Sequence, residues 1–98
     1  MKTQNVKFEV KNKVKVYKPS ENEIEIAKNW PTWSKEISEF DWYYSENEKF
    51  YLVKGEVEIE LDNKSSFKIE DGDMVEFYKG VKCKWKVTKP VFKHYTFF

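Results

Sequence analysis

An antiparallel all-β sandwich or barrel is the fold class this 98-residue chain predicts, and three observations predict it. Apolar residues alternate with polar ones over many short runs, the period of half-buried strands. Turn-forming clusters interrupt these runs every eight to twelve residues or so. Large rings make up 18% of the residues against a modest 40% apolar content, so a small domain can bury much area per side chain.

Val6, Phe8 and Val10, then Val14 and Val16 after Asn12-Lys13, predict a strand pair joined by a tight turn. Pro19 to Glu23 reads as a helix start. Ser20 is the N-cap and Glu23 stands where a capping box places its acid. Trp30-Pro31 closes the helix, since a residue before proline leaves the helical region; Ile24 and Ala27 are its inward contacts. Ile37 to Tyr44 is extended, with Ser38, Phe40, Trp42 and Tyr44 on one face and Asp41 and Tyr43 on the other. After a turn at Ser45-Glu46-Asn47, one strand over Lys49–Lys54 leads through Gly55 into another over Glu56–Leu61. There Val57, Ile59 and Leu61 face inward and Glu56, Glu58 and Glu60 outward.

Phe67–Ile69 is a short strand, Glu70–Asp73 a tight turn and Met74–Tyr78 the next strand. Lys82, Lys84 and Lys86 alternate with Cys83, Trp85 and Val87, which predicts cross-strand charge pairing should this strand lie beside the glutamate strand. Pro90 breaks the run, and Val91–Phe98 is a final strand.

Net charge is +1, from 18 basic and 17 acidic residues, and every basic residue is lysine. That balance predicts no nucleic-acid partner, which would need a one-sided basic field. With no guanidinium forks, phosphate recognition is disfavoured too. The single cysteine, Cys83, excludes an internal disulfide framework and a multi-cysteine zinc site. No apolar run has the length of a membrane span or the form of a signal peptide, so the expectation is a cytoplasmic protein with no membrane partner.

The aromatic stretch Phe40–Gly55 holds the chemistry. Glu48, Phe50 and Leu52 share a strand face, so an acid stands on an apolar surface where an unpaired carboxylate is costly. Two spacings coincide around it: Glu48 with Gly55 after six residues, and Gly72, five residues, Tyr78-Lys79-Gly80, two residues, Cys83. Both resemble the two motifs of the cupin superfamily, small jelly-roll barrels in which two histidines, a glutamate and a later histidine usually bind a divalent metal. In this chain Trp42 and Tyr44 stand at the paired-histidine positions and Cys83 at the later one; Tyr78, Val87 and Glu36 replace the motif proline, asparagine and opening glycine. Glu48 alone of the four ligand positions is kept.

Trp30-Pro31-x-Trp33, Glu36-x-Ser38-x-Phe40-Asp41-Trp42-x-Tyr44, Gly72-Asp73, Cys83-x-Trp85-x-Val87 and Lys93-His94-Tyr95 further resemble a subfamily of small single-domain cupins. It is grouped with the (S)-ureidoglycine aminohydrolase and ethanolamine-utilisation cupin domains. The resemblance covers residues 17–98, so that residues 1–16 read as an added strand pair, packed on the barrel or at a dimer contact. It implies a cupin jelly-roll (double-stranded β-helix) barrel with one short N-terminal helix. It also implies a pocket inside the barrel lined by Trp42, Tyr44, Glu48, Cys83, Trp85 and His94.

Glu48 then has three readings: a former ligand hydrogen-bonded by the Tyr44 hydroxyl or an indole N–H, a catalytic acid or base, or a partner for a cationic ligand group. Cys83 reads as a buried, unreactive thiol, and Trp33, Phe77 and Trp85 as core or pocket wall. A metal, if bound, would fall to Glu48, Cys83 and His94, fewer ligands than a closed site takes. The expectation is therefore a small-molecule-binding cupin with no resident metal or other cofactor. Two alternatives are an aminohydrolase-like or related enzyme acting on a small nitrogenous metabolite, with Glu48 as acid/base or as ligand to a weakly held divalent metal, and a structural module that forms a homodimer through the first strand pair.

Overall fold

The computed structural model describes residues 5–98. Two long strands, β5 (Glu48–Leu61) and β8 (Lys82–Phe97), form the spine of a single eight-stranded antiparallel sheet. They pair with each other along most of their length, from Glu48↔Phe97 to Leu61↔Cys83. The shorter strands are β1 (Asn5–Val10), β2 (Val14–Lys18), β3 (Thr32–Lys35), β4 (Ser38–Tyr43), β6 (Ser66–Glu70) and β7 (Met74–Phe77). On its free side β5 carries β7 along its first half and β6 along its second, while β8 carries β4 and then β3. Each spine strand thus serves both halves of the sheet and bends between them, which closes it into the expected jelly-roll barrel.

The bend explains two departures from the sequence reading. Lys49–Lys54 and Glu56–Leu61 belong to one strand, and Pro90 does not interrupt β8. The β5–β8 register shifts between Leu52 and Val57, so the buried positions change from even (Phe50, Leu52) to odd (Val57, Ile59, Leu61). Pro90 lies opposite this irregularity, between the stretches of β8 that pair with β4 and with β3. A missing N–H is tolerated at such a gap. Gly55 makes the crossing possible: its φ is +124°, and an added Cβ would lie 2.6 Å from the Pro90 carbonyl oxygen and 2.8 Å from Val91 Cα. Only glycine accommodates both the conformation and the close approach.

The barrel interior holds Val14, Val16, Phe50, Leu52, Val57, Ile59, Leu61, Val75, Phe77, Trp85 and Val87 among others. Tyr17, Met74 and half-buried Tyr51 alternate with residues of that core and face outward, where they pack with Ala27 and Trp30. This patch seats α1 (Glu21–Ala27) on the outside of the sheet. The predicted capping box is present: the Glu23 N–H donates to Ser20 Oγ at 3.2 Å, and the Ser20 N–H donates to Glu23 Oε1 at 2.9 Å.

The hairpin β1–β2 turns at Asn12, in the left-handed region at φ +64°, and β2 pairs with β7. A division after residue 16 runs through β2, whose Val14 and Val16 are wholly buried in the main core. Residues 1–4 of that segment lie outside the described residues. Glutamates and lysines do face each other across the spine, Glu58↔Lys86 and Glu60↔Lys84. Among the described residues no helix is long and apolar enough to cross a membrane.

Candidate functional site

Glu48 opens β5 and points into the barrel, almost wholly buried. Its partner is neither the Tyr44 hydroxyl nor an indole N–H, the expected donors. It is Lys93, whose Nζ donates to Glu48 Oε2 at 2.8 Å; both side chains are only 8% exposed. Lys93 stands opposite Leu52 in the ladder, Tyr95 opposite Phe50, and Phe97 opposite Glu48. The lysine stem therefore runs along the barrel wall, past Phe50, to reach the carboxylate.

Rings surround the ammonium. Nζ lies 4.1 Å from the Phe50 centroid, 4.8 Å from Trp33, 5.1 Å from Trp85 and 5.9 Å from Tyr95. Ring faces attract a cation, more strongly once water is removed. Burial lowers the Lys93 pKa from its ordinary value, and the nearby Glu48 charge opposes part of that shift.

Above the pair opens a cavity of about 200 Å³, lined by Trp33, Phe40, Trp42, Tyr44, Trp85, Tyr95 and Phe97, with Glu48 and Lys93 as its polar groups. Trp42 and Phe97 are 47% and 52% exposed and form the mouth. Tyr44 is deep, stacked on Phe77 at 4.3 Å. Burial, then the Glu48 charge, holds its hydroxyl well above the usual tyrosine pKa, so it stays neutral. The Trp85 indole N–H is buried without a hydrogen-bond partner. A wider groove of about 1000 Å³ runs past residues 34–38 and 89–92. Its charged walls, Lys54, Asp71 and Lys89, are exposed, so it lacks a desolvated polar group to orient a ligand.

Of the six residues expected at the pocket, Trp42, Tyr44, Glu48 and Trp85 come together there. Cys83 and His94 do not. Inward positions on β8 are the odd ones, so Lys93 takes the pocket side and His94 the other face. There its Nδ1 lies 3.1 Å from the Trp30 carbonyl oxygen and its ring meets Phe92 edge-on. Cys83 is buried at the far end of the ladder, opposite Leu61 and Trp42, and touches a separate shallow groove. Burial pushes its thiol up to about 12.

The residues present do not fit the divalent ion that metal-binding cupins hold. Trp42 offers no lone pair, Tyr44 stays a phenol, Cys83 stays a thiol and does not line the cavity, His94 faces away, and an ammonium already neutralises Glu48. Among the described residues no group of three His, Cys, Asp or Glu side chains is placed to hold a metal.

Lys93 is the charged site residue that sequence reasoning missed, along with the pocket rings Phe40, Tyr95 and Phe97, although it stands in the Lys93-His94-Tyr95 run. The parity of Cys83, Trp85 and Val87, carried unbroken through Pro90, reaches Lys93 and Tyr95 and leaves His94 outside. Treating Pro90 as a strand break hid that continuity.

The sequence profile of the EutQ-like cupin domain matches residues 23–95. The chain belongs to this cupin family. A DUF861-family protein from Thermotoga maritima is 46% identical over 87% of this chain and 99% of its own, with a TM-score of 0.84. The Clostridium difficile EutQ protein superposes with a TM-score of 0.62 at 15% identity, covering 97% of this cupin and 65% of EutQ. A Pseudomonas syringae DUF861-family protein of unknown function gives 0.63 at 24% identity, over 87% and 31% of the two chains. The last two likenesses speak for the fold alone. Among curated proteins there is no match.

Proposed function

We propose that this cupin binds a small molecule in its barrel and works with a lysine ammonium where metal-binding cupins hold their ion. The observation that carries the reading is the Lys93–Glu48 contact at 2.8 Å beneath an open aromatic cavity. A carboxylate that kept its place while its histidine partners were lost needs another positive charge nearby, and Lys93 supplies it. The rings give a ligand apolar area, and the ion pair gives it one donor and one acceptor for orientation.

Two measurements test this. Purified protein incubated with Mn, Fe, Zn or Ni is expected to retain less than one ion per chain after desalting; stoichiometric metal that disappears in Glu48→Gln overturns the reading. A thermal-shift screen of small metabolites is expected to find ligands that raise the melting temperature, because binding to the native state alone must stabilise it. No shift from any ligand of pocket size counts for a structural module instead.

A second reading, an enzyme acting on a small nitrogenous metabolite, is favoured by the same pair. A carboxylate in contact with a lysine of lowered pKa is an acid–base couple, with Glu48 as the catalytic group. Turnover lost in Glu48→Gln at unchanged ligand affinity supports it. The homodimer reading rests on β1, which ends the sheet order and exposes Val6 by 44%, an edge open to pairing. Because β2 is core, this is tested by Val6→Lys rather than by truncation. A mass in light scattering that stays at monomer for both proteins removes the dimer.

A further inference from the structure

We propose that Lys93 is a covalent site for small carbonyl compounds, forming an imine with aldehydes or ketones that enter the barrel. The inference rests on the pocket reading above and adds a reaction to it. Lysines that form imines need a fraction of free amine, an adjacent proton carrier and shelter from water. All three are built around this side chain. The Lys93 side chain is nine-tenths buried beneath the cavity, Glu48 Oε2 lies 2.8 Å from its Nζ, and desolvation favours the neutral amine.

The pair can carry every proton the reaction moves. Glu48 takes a proton from the ammonium, and the freed nitrogen lone pair attacks the carbonyl carbon. The π electrons of the C=O bond move to oxygen, which takes the proton from the Glu48 carboxyl. Nitrogen then returns a proton to Glu48, leaving a neutral carbinolamine. Glu48 protonates its hydroxyl, water leaves, and the nitrogen lone pair closes the C=N bond. Ammonium and carbonyl become iminium and water, with charge conserved and no oxidant or reductant consumed.

The product suits the same surroundings. An iminium is a cation at the position of the ammonium, so Glu48 remains its counter-charge and the faces of Phe50, Trp33 and Trp85 continue to stabilise it. Phe40, Trp42 and Phe97 would hold the carbonyl compound's body, which favours an apolar or aromatic one small enough for about 200 Å³.

The test uses benzaldehyde with cyanoborohydride, which reduces an imine to a stable secondary amine, followed by peptide mass mapping of the full chain. Each unit by which a lysine pKa falls raises its free-amine fraction about tenfold near neutral pH. Lys93 in the folded protein is therefore expected to be labelled faster than every other lysine, and that preference should vanish in urea. Labelling of Lys93 no faster than surface lysines overturns the proposal, and the unfolded wild type supplies the control without a variant that must fold. Benzyl alcohol, which cannot form an imine, separates the two readings in a thermal shift. A shift with the alcohol but no labelling sinks the imine and keeps the pocket; neither effect counts against both.

Discussion

Lys93 faces Leu52 in the β5–β8 ladder, yet its Nζ reaches along the barrel to Glu48 Oε2 at 2.8 Å. The contact lies inside the core, so the pair and the apolar barrel are energetically coupled. Removing one partner of a buried pair leaves an uncompensated charge, whereas removing both leaves an ordinary cavity wall. Glu48→Leu and Lys93→Met are each expected to destabilise the protein by about 3–5 kcal/mol, and the double variant by much less. Urea denaturation of the four proteins measures the coupling. Additive losses would show that the two charges do not depend on each other.

Gly55 is the pivot that brings both spine strands past each other. Gly55→Ala must accept a φ of +124° and push against the backbone of Pro90 and Val91, neither of which can rotate away. A loss of roughly 3 kcal/mol or more is expected, or failure to fold. Gly80 has a similar φ, +97°, but open space around it, so Gly80→Ala should lose only about 1 kcal/mol. Equal losses at the two sites would mean that the strand crossing is looser than its distances indicate.

Asp73 ties the first hairpin to the turn before β7. Its carboxylate is wholly buried, receives the Glu70 N–H at 2.8 Å, and lies 2.7 Å from Lys7 Nζ and 2.9 Å from Lys18 Nζ. The Lys18 contact is Coulombic, since its geometry makes no directed hydrogen bond to Oδ1. Asp73→Ala is expected to destabilise by about 3 kcal/mol. Lys7→Ala and Lys18→Ala act on partly exposed lysines and should each lose no more than about 1 kcal/mol. Thermal or urea unfolding ranks the three variants, and a Lys7 effect as large as that of Asp73 would contradict the ordering.

How far the sequence was legible follows from which interactions are local. The capping box, the Asn12 turn and the alternation in β4 and β6 involve neighbours in the chain, and all could be read there. Trp42, Tyr44, Glu48 and Trp85 could be placed because their parity and the cupin spacing agree. Lys93 could not be placed so easily. Its partner lies 45 positions away in sequence, and a lysine in an alternating strand normally means a solvated face. The parity change near Gly55 also depends on a bulge opposite Pro90, which neither strand announces alone. His94 drew attention as the lone imidazole, although its position on β8 turns it outward.

Cys83 gives the fold a dependence on alkaline pH. Burial raises its pKa from an ordinary value near 9 to about 12, so in the window between these values the unfolded thiol ionises and the folded one does not. The unfolded state then binds fewer protons, and stability falls as pH rises. The contribution of Cys83 is fully present below pH 9 and is lost progressively from there through about 12. Tyr44 reinforces the trend, being raised above the ordinary tyrosine value of 10. Unfolding free energies of wild type and Cys83→Ala, compared between pH 8 and pH 11, should converge as the pH rises, with the variant losing less. The native thiol should also react slowly with iodoacetamide at pH 8 and quickly once urea exposes it, because only the thiolate is nucleophilic. Rapid alkylation of the folded protein at pH 8 would show that Cys83 is neither as buried nor as weakly acidic as its surroundings make it.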